Sequence, residues 1–264
     1  MSDIEVIIVG DGVDEVTREV VANLQRNDPR VRFLDFAKGP RNGEIHRHTA
    51  LANAGGRIVC YLGDDDIWFP NHLAVMDSLL QGDVGFAHAL PLRIEPDGRL
   101  ADWPGDLGIP YYREQLLAGR NWIPLACGAH TVEAYRRLPI GWSTTPRAIA
   151  GTDLYMWQKL IRSGCGVASG TQPTVLVFPS PNRTGWTLEA RVQELATWRQ
   201  RLGDPGRRAS FREETLDYFV RERARSFSQT PRARALRLLA RFRFLNSVRR
   251  LRKAARGVLA RATR

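Results

Sequence analysis

Four short apolar runs, separated by stretches with helical spacing, constrain this chain more than any other feature of its sequence. "IEVIIVG" (Ile4–Gly10) reads as a strand buried on both faces, and "VRFLDF" (Val31–Phe36), "RIVCYL" (Arg57–Leu62) and "DVGFAHALPL" (Asp83–Leu92) as further strands. Between them, "DEVTREVVANLQRN" places Val16, Val20, Val21 and Leu24 at helical spacing, and "EIHRHTALANAGG" ends on the glycine pair Gly55-Gly56. "FPNHLAVMDSLLQG" opens a third helix at Pro70, a residue favoured in the first turn. Strands alternating with helices predict an α/β fold: a mostly parallel sheet with helices on both faces. Further on, "RIEPDGRL" predicts a hairpin turn through Asp97-Gly98. "TDLYMWQKLIRSG" predicts an amphipathic helix burying Leu154, Trp157, Leu160 and Ile161. "GVASGTQPTVLVFP" reads as short strands and "TLEARVQELATWRQRL" as another helix.

Composition changes at Gly203-Asp204-Pro205-Gly206, so we expect an α/β domain over 1–203 and a helical, arginine-rich extension over 204–264. The net charge of +11 belongs to that extension. Residues 223–264 hold 14 Lys or Arg and no carboxylate, whereas residues 1–222 hold 25 basic and 28 acidic residues, a net −3. Within 231–264, Leu238, Phe242, Leu245, Val248, Leu251 and Val258 form one helical stripe among arginines. Such a helix is attracted to anionic lipid headgroups. Packing on the body or on a partner is the competing reading. Nucleic acid has electrostatics in its favour but no binding motif or interleaved aromatics. No apolar run reaches the roughly 18 to 20 residues of a membrane span, and the N-terminal run lacks a basic flank. The expected location is therefore cytoplasmic, with 231–264 peripheral at the inner face of the membrane. Cys60, Cys127 and Cys165, without C-x-x-C spacing, read as small buried hydrophobes rather than a disulfide framework.

Chemistry concentrates at strand ends. Ligands of open parallel sheets bind beyond the carboxyl ends of the strands, and two of those ends carry acid: Asp11, and the run Asp64-Asp65-Asp66. Adjacent carboxylates repel, more so as water is removed. Mg²⁺ or Mn²⁺, held by one or two carboxylates plus substrate phosphates, would offset the repulsion. The bland alternative makes Asp66 the cap of the helix near Pro70 and leaves Asp64 and Asp65 as solvated turn residues.

"VGDGVDEVT", "RHTALANAGG", "YLGDDDIWFP" and "GTDLYMWQKLIRSG" occur in the order and at the distances of four motifs of family 2 glycosyltransferases, and the chain from about 4 to 200 resembles that family, with its GT-A fold. The resemblance implies that Asp11 hydrogen-bonds the nucleotide base, Arg47 lies near base and phosphates, and Asp64 lies near the ribose. It implies metal ligation by Asp65 and Asp66, and Asp153 as the general base that deprotonates the acceptor hydroxyl. Arg183 and Trp186, in "FPSPNRTGW", lie where the family often completes its site and are expected on the nucleotide sugar. Gly10 and Gly63 replace the first Asp of two motifs, and His48 replaces an Asn. Family members usually have a further strand before the one that here starts at Ile4. The implied reaction is inverting transfer of a sugar from a nucleoside-diphosphate sugar to a glycan or lipid-linked acceptor, with Mg²⁺ or Mn²⁺. Asp153 also has a plain reading, as an acid at a helix start. Trp142 and His130 could line an acceptor site or simply belong to the core. Two other readings compete: a sugar nucleotidyltransferase, which would want a basic glycine-rich loop where "VGDGVDE" is acidic, and a non-catalytic, membrane-associated binding protein.

Overall fold

The computed structural model describes residues 3–102 and 105–229. The stripe expected in 231–264 lies outside the described residues. Those described fall into two compact units that divide between Gly203 and Asp204.

The first unit opens with β1 (Val6–Asp11), α1 (Glu15–Asn27) and β2 (Val31–Phe36). Asp14 starts α1 by accepting the Thr17 N–H at 2.9 Å, which satisfies one of the helix's unpaired first-turn donors. β1 and β2 pair in parallel as a two-stranded sheet. The apolar spacing of α1 predicted a buried stripe, but only Val21 is buried, and Val16, Val20 and Leu24 are exposed. A sheet of two strands covers too little of the helix to bury the whole stripe.

α2 (His46–Ala52), β3 (Ile58–Cys60), β4 (Ile67–Trp68), α3 (His72–Leu79), β5 (Val84–Ile94) and β6 (Leu100–Asp102) follow. Then come α4 (Pro110–Leu117), β7 (Gly128–Thr131), α5 (Val132–Arg136), α6 (Thr152–Arg162), β8 (Gly166–Val177) and α7 (Leu188–Gly203). The main sheet has the order β3-β7-β5-β8-β4, with β6 paired to β5 through the predicted turn at Gly98. The expectation of a mostly parallel sheet needs correcting. β5 runs parallel to β8, but β7 is antiparallel to both β3 and β5, β4 is antiparallel to β8, and β6 is antiparallel to β5. The cause is β7, which enters between β3 and β5 and turns two strands consecutive in the apolar pattern into next-but-one neighbours. The fold is therefore α/β with a mixed sheet and flanking helices. "GVASGTQPTVLV" forms one strand rather than several, its register against β5 slipping around Pro91 and Pro173, where proline offers no N–H to the ladder.

The core lies between this sheet and α6. Trp157 is fully buried, stacks on Phe86 at 5.0 Å, and donates from Nε1 to the Ile123 carbonyl at 3.0 Å. Gly128 makes room for it: a Cβ there would sit 2.4 Å from the indole. In the second unit, α8 runs over Pro205–Gln229. No described helix is long and apolar enough to cross a membrane.

Candidate active site

Asp11 ends β1, and its carboxylate is met on three sides. It accepts the Gly39 N–H at 2.6 Å, pairs with Lys38, and lies 3.3 Å from His46 Nε2. Burial pulls its pKa upward, but the Gly39 and Lys38 hydrogen bonds outweigh that and hold the carboxyl below its ordinary value. His46 stacks flat on Phe36 at 4.4 Å, the end of β2. Gly43, at φ +63°, allows this closeness, since a Cβ there would overlap the Asp11 carboxylate at 2.2 Å. The loop is pinned by Glu44, which is fully buried and accepts the N–H groups of Thr145 at 2.6 Å and Asn42 at 3.1 Å.

Arg47, in the first turn of α2, lies within electrostatic reach of Tyr61, Asp153, Glu44 and Asp11. Its guanidinium sits over the Trp142 ring at 4.6 Å, and Nη1 is buried with no hydrogen-bond partner. A donor left unpaired in a buried position is costly unless something else supplies the acceptor.

Beyond β3 the three acids separate. Asp64 is exposed. Asp65 accepts from the Ser180 hydroxyl at 2.6 Å and from Arg191 Nη2 at 3.0 Å, all through Oδ2. Asp66 accepts the Phe178 N–H at 3.2 Å through Oδ1. It does not cap the following helix: β4 intervenes, and the residue at the start of α3 is Asn71. Burial, and then the charges of Asp65 and Asp64, push the Asp66 carboxyl up to about 7, against the pull of Phe178 and Arg191. The remaining oxygens, Asp65 Oδ1 and Asp66 Oδ2, converge on the place a side chain at Gly63 would fill, 3.3 and 3.4 Å from its Cβ position. Among the described residues no three His, Cys, Asp or Glu side chains gather into a metal-binding group. A pair of converging carboxylates does suit a cation whose remaining ligands are waters and a diphosphate.

Asp153 opens α6. Its Oδ2 accepts from Asn121 Nδ2 at 3.0 Å and its Oδ1 accepts the Leu154 N–H at 2.8 Å. Asn121 is itself oriented, because its Oδ1 accepts the Ile123 N–H at 3.2 Å. Burial raises the Asp153 carboxyl despite these bonds and the nearby Arg47 charge, the direction expected of a group suited to take a proton.

Other expected residues are placed differently. Arg183 is buried, with Nε and Nη2 fastened to Glu194 at 2.7 and 2.6 Å and Nη2 also donating to the Ile94 carbonyl at 2.8 Å. Its fork is committed to holding α7 against β5. Trp186 is part-exposed at 38%, with the Arg183 guanidinium 5.6 Å from its ring. His130 and Trp142 are buried in the core. Sequence reading did not single out Arg191, Ser180, Asn121 or Glu44. Arg191 is one arginine among several in an amphipathic helix, and its partner lies 126 positions away.

Comparison with known proteins adds a family model, described as glycosyl transferase family 2, that matches residues 1–137. A GalNAc(5)-diNAcBac-PP-undecaprenol beta-1,3-glucosyltransferase of Campylobacter jejuni is 31% identical over 103 residues, covering 38% of this chain and 32% of that protein. A UDP-Glc:alpha-D-GlcNAc-diphosphoundecaprenol beta-1,3-glucosyltransferase of Escherichia coli is 33% identical over 87 residues, 32% of each protein. The chain thus spans about a third of the length of these curated relatives. Among solved structures, a mannosyltransferase of Pyrobaculum calidifontis in complex with GDP-Man and Mn²⁺ aligns with TM-score 0.45 and 20% identity, over 69% of this chain and 49% of that one.

Proposed function

This chain belongs to glycosyl transferase family 2, and from that premise we propose that it transfers a sugar, with inversion, from a nucleoside-diphosphate sugar to an acceptor hydroxyl. The observation that carries the proposal is Arg47, a cation with a buried, unpartnered donor, set among Asp11, Glu44 and Asp153. A site of that kind suits an anionic ligand flanked by a base.

In this reading Asp11, fixed by Gly39 and Lys38, and Asp64 hold the nucleoside, while Arg47 meets the diphosphate. Trp186 remains a candidate contact for the donor. Arg183, with its donors taken by Glu194 and Ile94, acts as the strut beneath it. Asp65 and Asp66 would hold Mg²⁺ or Mn²⁺. Such an ion, when bound, supplies Lewis-acid stabilisation of negative charge on the departing diphosphate. Asp153, oriented by Asn121, takes the proton of the acceptor hydroxyl as its oxygen attacks the anomeric carbon from the face opposite the leaving group. One displacement inverts the configuration there.

The curated relatives act on undecaprenol-linked diphosphate glycans, which supports a lipid-linked glycan as acceptor here. The basic segment 231–264 fits that reading as an attachment to an anionic membrane surface at the cytoplasmic face. Sedimentation with vesicles containing phosphatidylglycerol tests the attachment, and binding unchanged on deleting 231–264 would exclude it. For the activity, release of nucleoside diphosphate from a panel of nucleotide sugars, with Mn²⁺, Mg²⁺ or chelator, is the test. Turnover of one donor that needs metal and is lost in Asp65→Asn supports the proposal. Binding of donor without any turnover across lipid-linked acceptors would favour the non-catalytic alternative.

A further inference from the structure

We infer that Trp142 is a positioning residue: its indole face holds the Arg47 guanidinium toward the diphosphate without engaging any of that group's hydrogen-bond donors. The inference rests on the role given to Arg47 above. At 3% exposure Trp142 is not available to stack on a sugar. Its place is instead set by hydrogen bonds behind the site. The Trp142 Nε1–H donates to the Tyr61 hydroxyl at 2.8 Å, and its backbone N–H donates to the Tyr135 hydroxyl at 2.9 Å. Tyr61 is oriented in turn by His130, 2.6 Å away at Nε2. His130 Nδ1 lies 2.9 Å from the Thr131 carbonyl, which can only accept, so Nδ1 carries the proton and Nε2 accepts from Tyr61. Tyr61 therefore donates to His130 and accepts from Trp142, and each member of the relay has one defined role. Packing agrees, with Tyr61 edge-on to Trp142 at 5.6 Å and Tyr135 stacked on His130 at 5.3 Å.

The relay ends on Arg47, 4.6 Å above the indole. A carboxylate in place of Trp142 would also hold an arginine, but it would cancel the charge and use up the guanidinium fork. An aromatic face attracts the cation through its quadrupole and leaves the N–H groups in the ring plane free. This explains why Nη1 is buried yet unpartnered. The relay also accounts for the buried, hydrogen-bonded cluster of Tyr61, His130, Tyr135 and Trp142 directly behind the site.

The test is calorimetric affinity for UDP and GDP in the presence of Mn²⁺, on the full chain, with folding followed by thermal unfolding. Arg47→Ala serves as the reference and is expected to weaken the better nucleotide at least tenfold. Trp142→Leu is expected to weaken it by about tenfold, and Trp142→Phe, which restores a ring face, to recover to within about threefold of wild type. In an Arg47→Ala background, Trp142→Leu should add nothing, because the cycle isolates the coupling. A purely structural role would instead add its loss in that background, and that result overturns the inference. If Trp142→Leu does not fold, Trp142→Met carries the same cycle, and wild-type affinity in Trp142→Met beside a weakened Arg47→Ala overturns the inference. Unchanged affinity in Arg47→Ala, or no nucleotide binding by wild type, would instead overturn the underlying reading of the site.

Discussion

Asp11 ends β1 and Asp66 lies in the loop between β3 and β4, and the protein treats their charges in opposite ways. Around Asp11 it supplies a lysine, a backbone N–H and a histidine, and the carboxyl is held below its ordinary value. Around Asp66 it supplies one backbone N–H, the more distant charge of Arg191 and two further carboxylates, and burial with those carboxylates raises the carboxyl to about 7. Asp153 follows Asp66, raised by burial with only neutral hydrogen-bond donors in contact. Under the proposed function, the difference separates a residue that stays charged and holds a ligand from residues whose charge would be completed by something that arrives, a cation at Asp65 and Asp66 and a proton at Asp153.

The comparison can be broken or sharpened in four ways, taken from the largest expected effect down. Acid tests the groups that burial keeps neutral. His72, His88 and His130 are each lowered to about 4, with burial the leading cause. A lowered histidine leaves stability intact above its unfolded pKa and costs stability as pH falls from about 6.5 toward 4, about 3 kcal/mol per group. Asp66 works the other way, since its raised carboxyl relieves the folded state as pH drops from about 7 to 4. Three histidines outweigh the raised carboxyls of Asp66 and Asp153, so urea unfolding at pH 7 and pH 4 is expected to show a net loss on the order of a few kcal/mol. A flat profile would mean that these histidines are not held neutral.

Next in size, Asp153→Asn removes the proposed base and leaves the donor site. Turnover is expected to fall about 10³-fold, while nucleoside-diphosphate affinity stays near wild type. A matching loss of affinity would move Asp153 to the donor-holding group that Asp11 represents. Asp65→Asn is then expected to weaken Mn²⁺ binding in the presence of nucleoside diphosphate by about 100-fold, the few kcal/mol one carboxylate contributes. The smallest effect has the opposite sign. Arg191 already neutralises part of Asp65 at 3.0 Å with its side chain only 15% exposed, so it competes with an incoming cation. Arg191→Ala is expected to tighten Mn²⁺ binding in the absence of nucleotide by about fivefold, the value of a part-exposed ion pair near 1 kcal/mol. Weaker binding in that variant would make Arg191 a support of the carboxylate geometry instead.

β1, β2, β3 and β5 were legible because their apolar runs are local, although β1 and β2 are only partly buried; the two-residue β4 was not. Their pairing was not legible. β7 is a four-residue segment, "GAHT", with no distinctive alternation, and its insertion between β3 and β5 depends on contacts across the whole unit. The stripe of α1 misled for a related reason, since spacing shows which residues share a face but not how much sheet lies beneath it. At the site, Asp11, Asp64–Asp66, Arg47 and Asp153 stood out because their motifs are contiguous. Asn121, Glu44 and Arg191 did not, because each acquires its role from a partner 32, 101 or 126 positions away. Arg183 shows the converse: a residue in a suggestive segment whose donors are already spent on Glu194, eleven positions on.

The most direct test of the contrast between Asp11 and Asp66 is the affinity of the wild-type chain for nucleoside diphosphate, with Mn²⁺ and again with chelator. If the Asp65–Asp66 pair is completed by a cation that arrives with the diphosphate, binding is strong with Mn²⁺ and collapses when the metal is removed. Equal affinity in both conditions would contradict that account and leave Arg47 alone to hold the diphosphate.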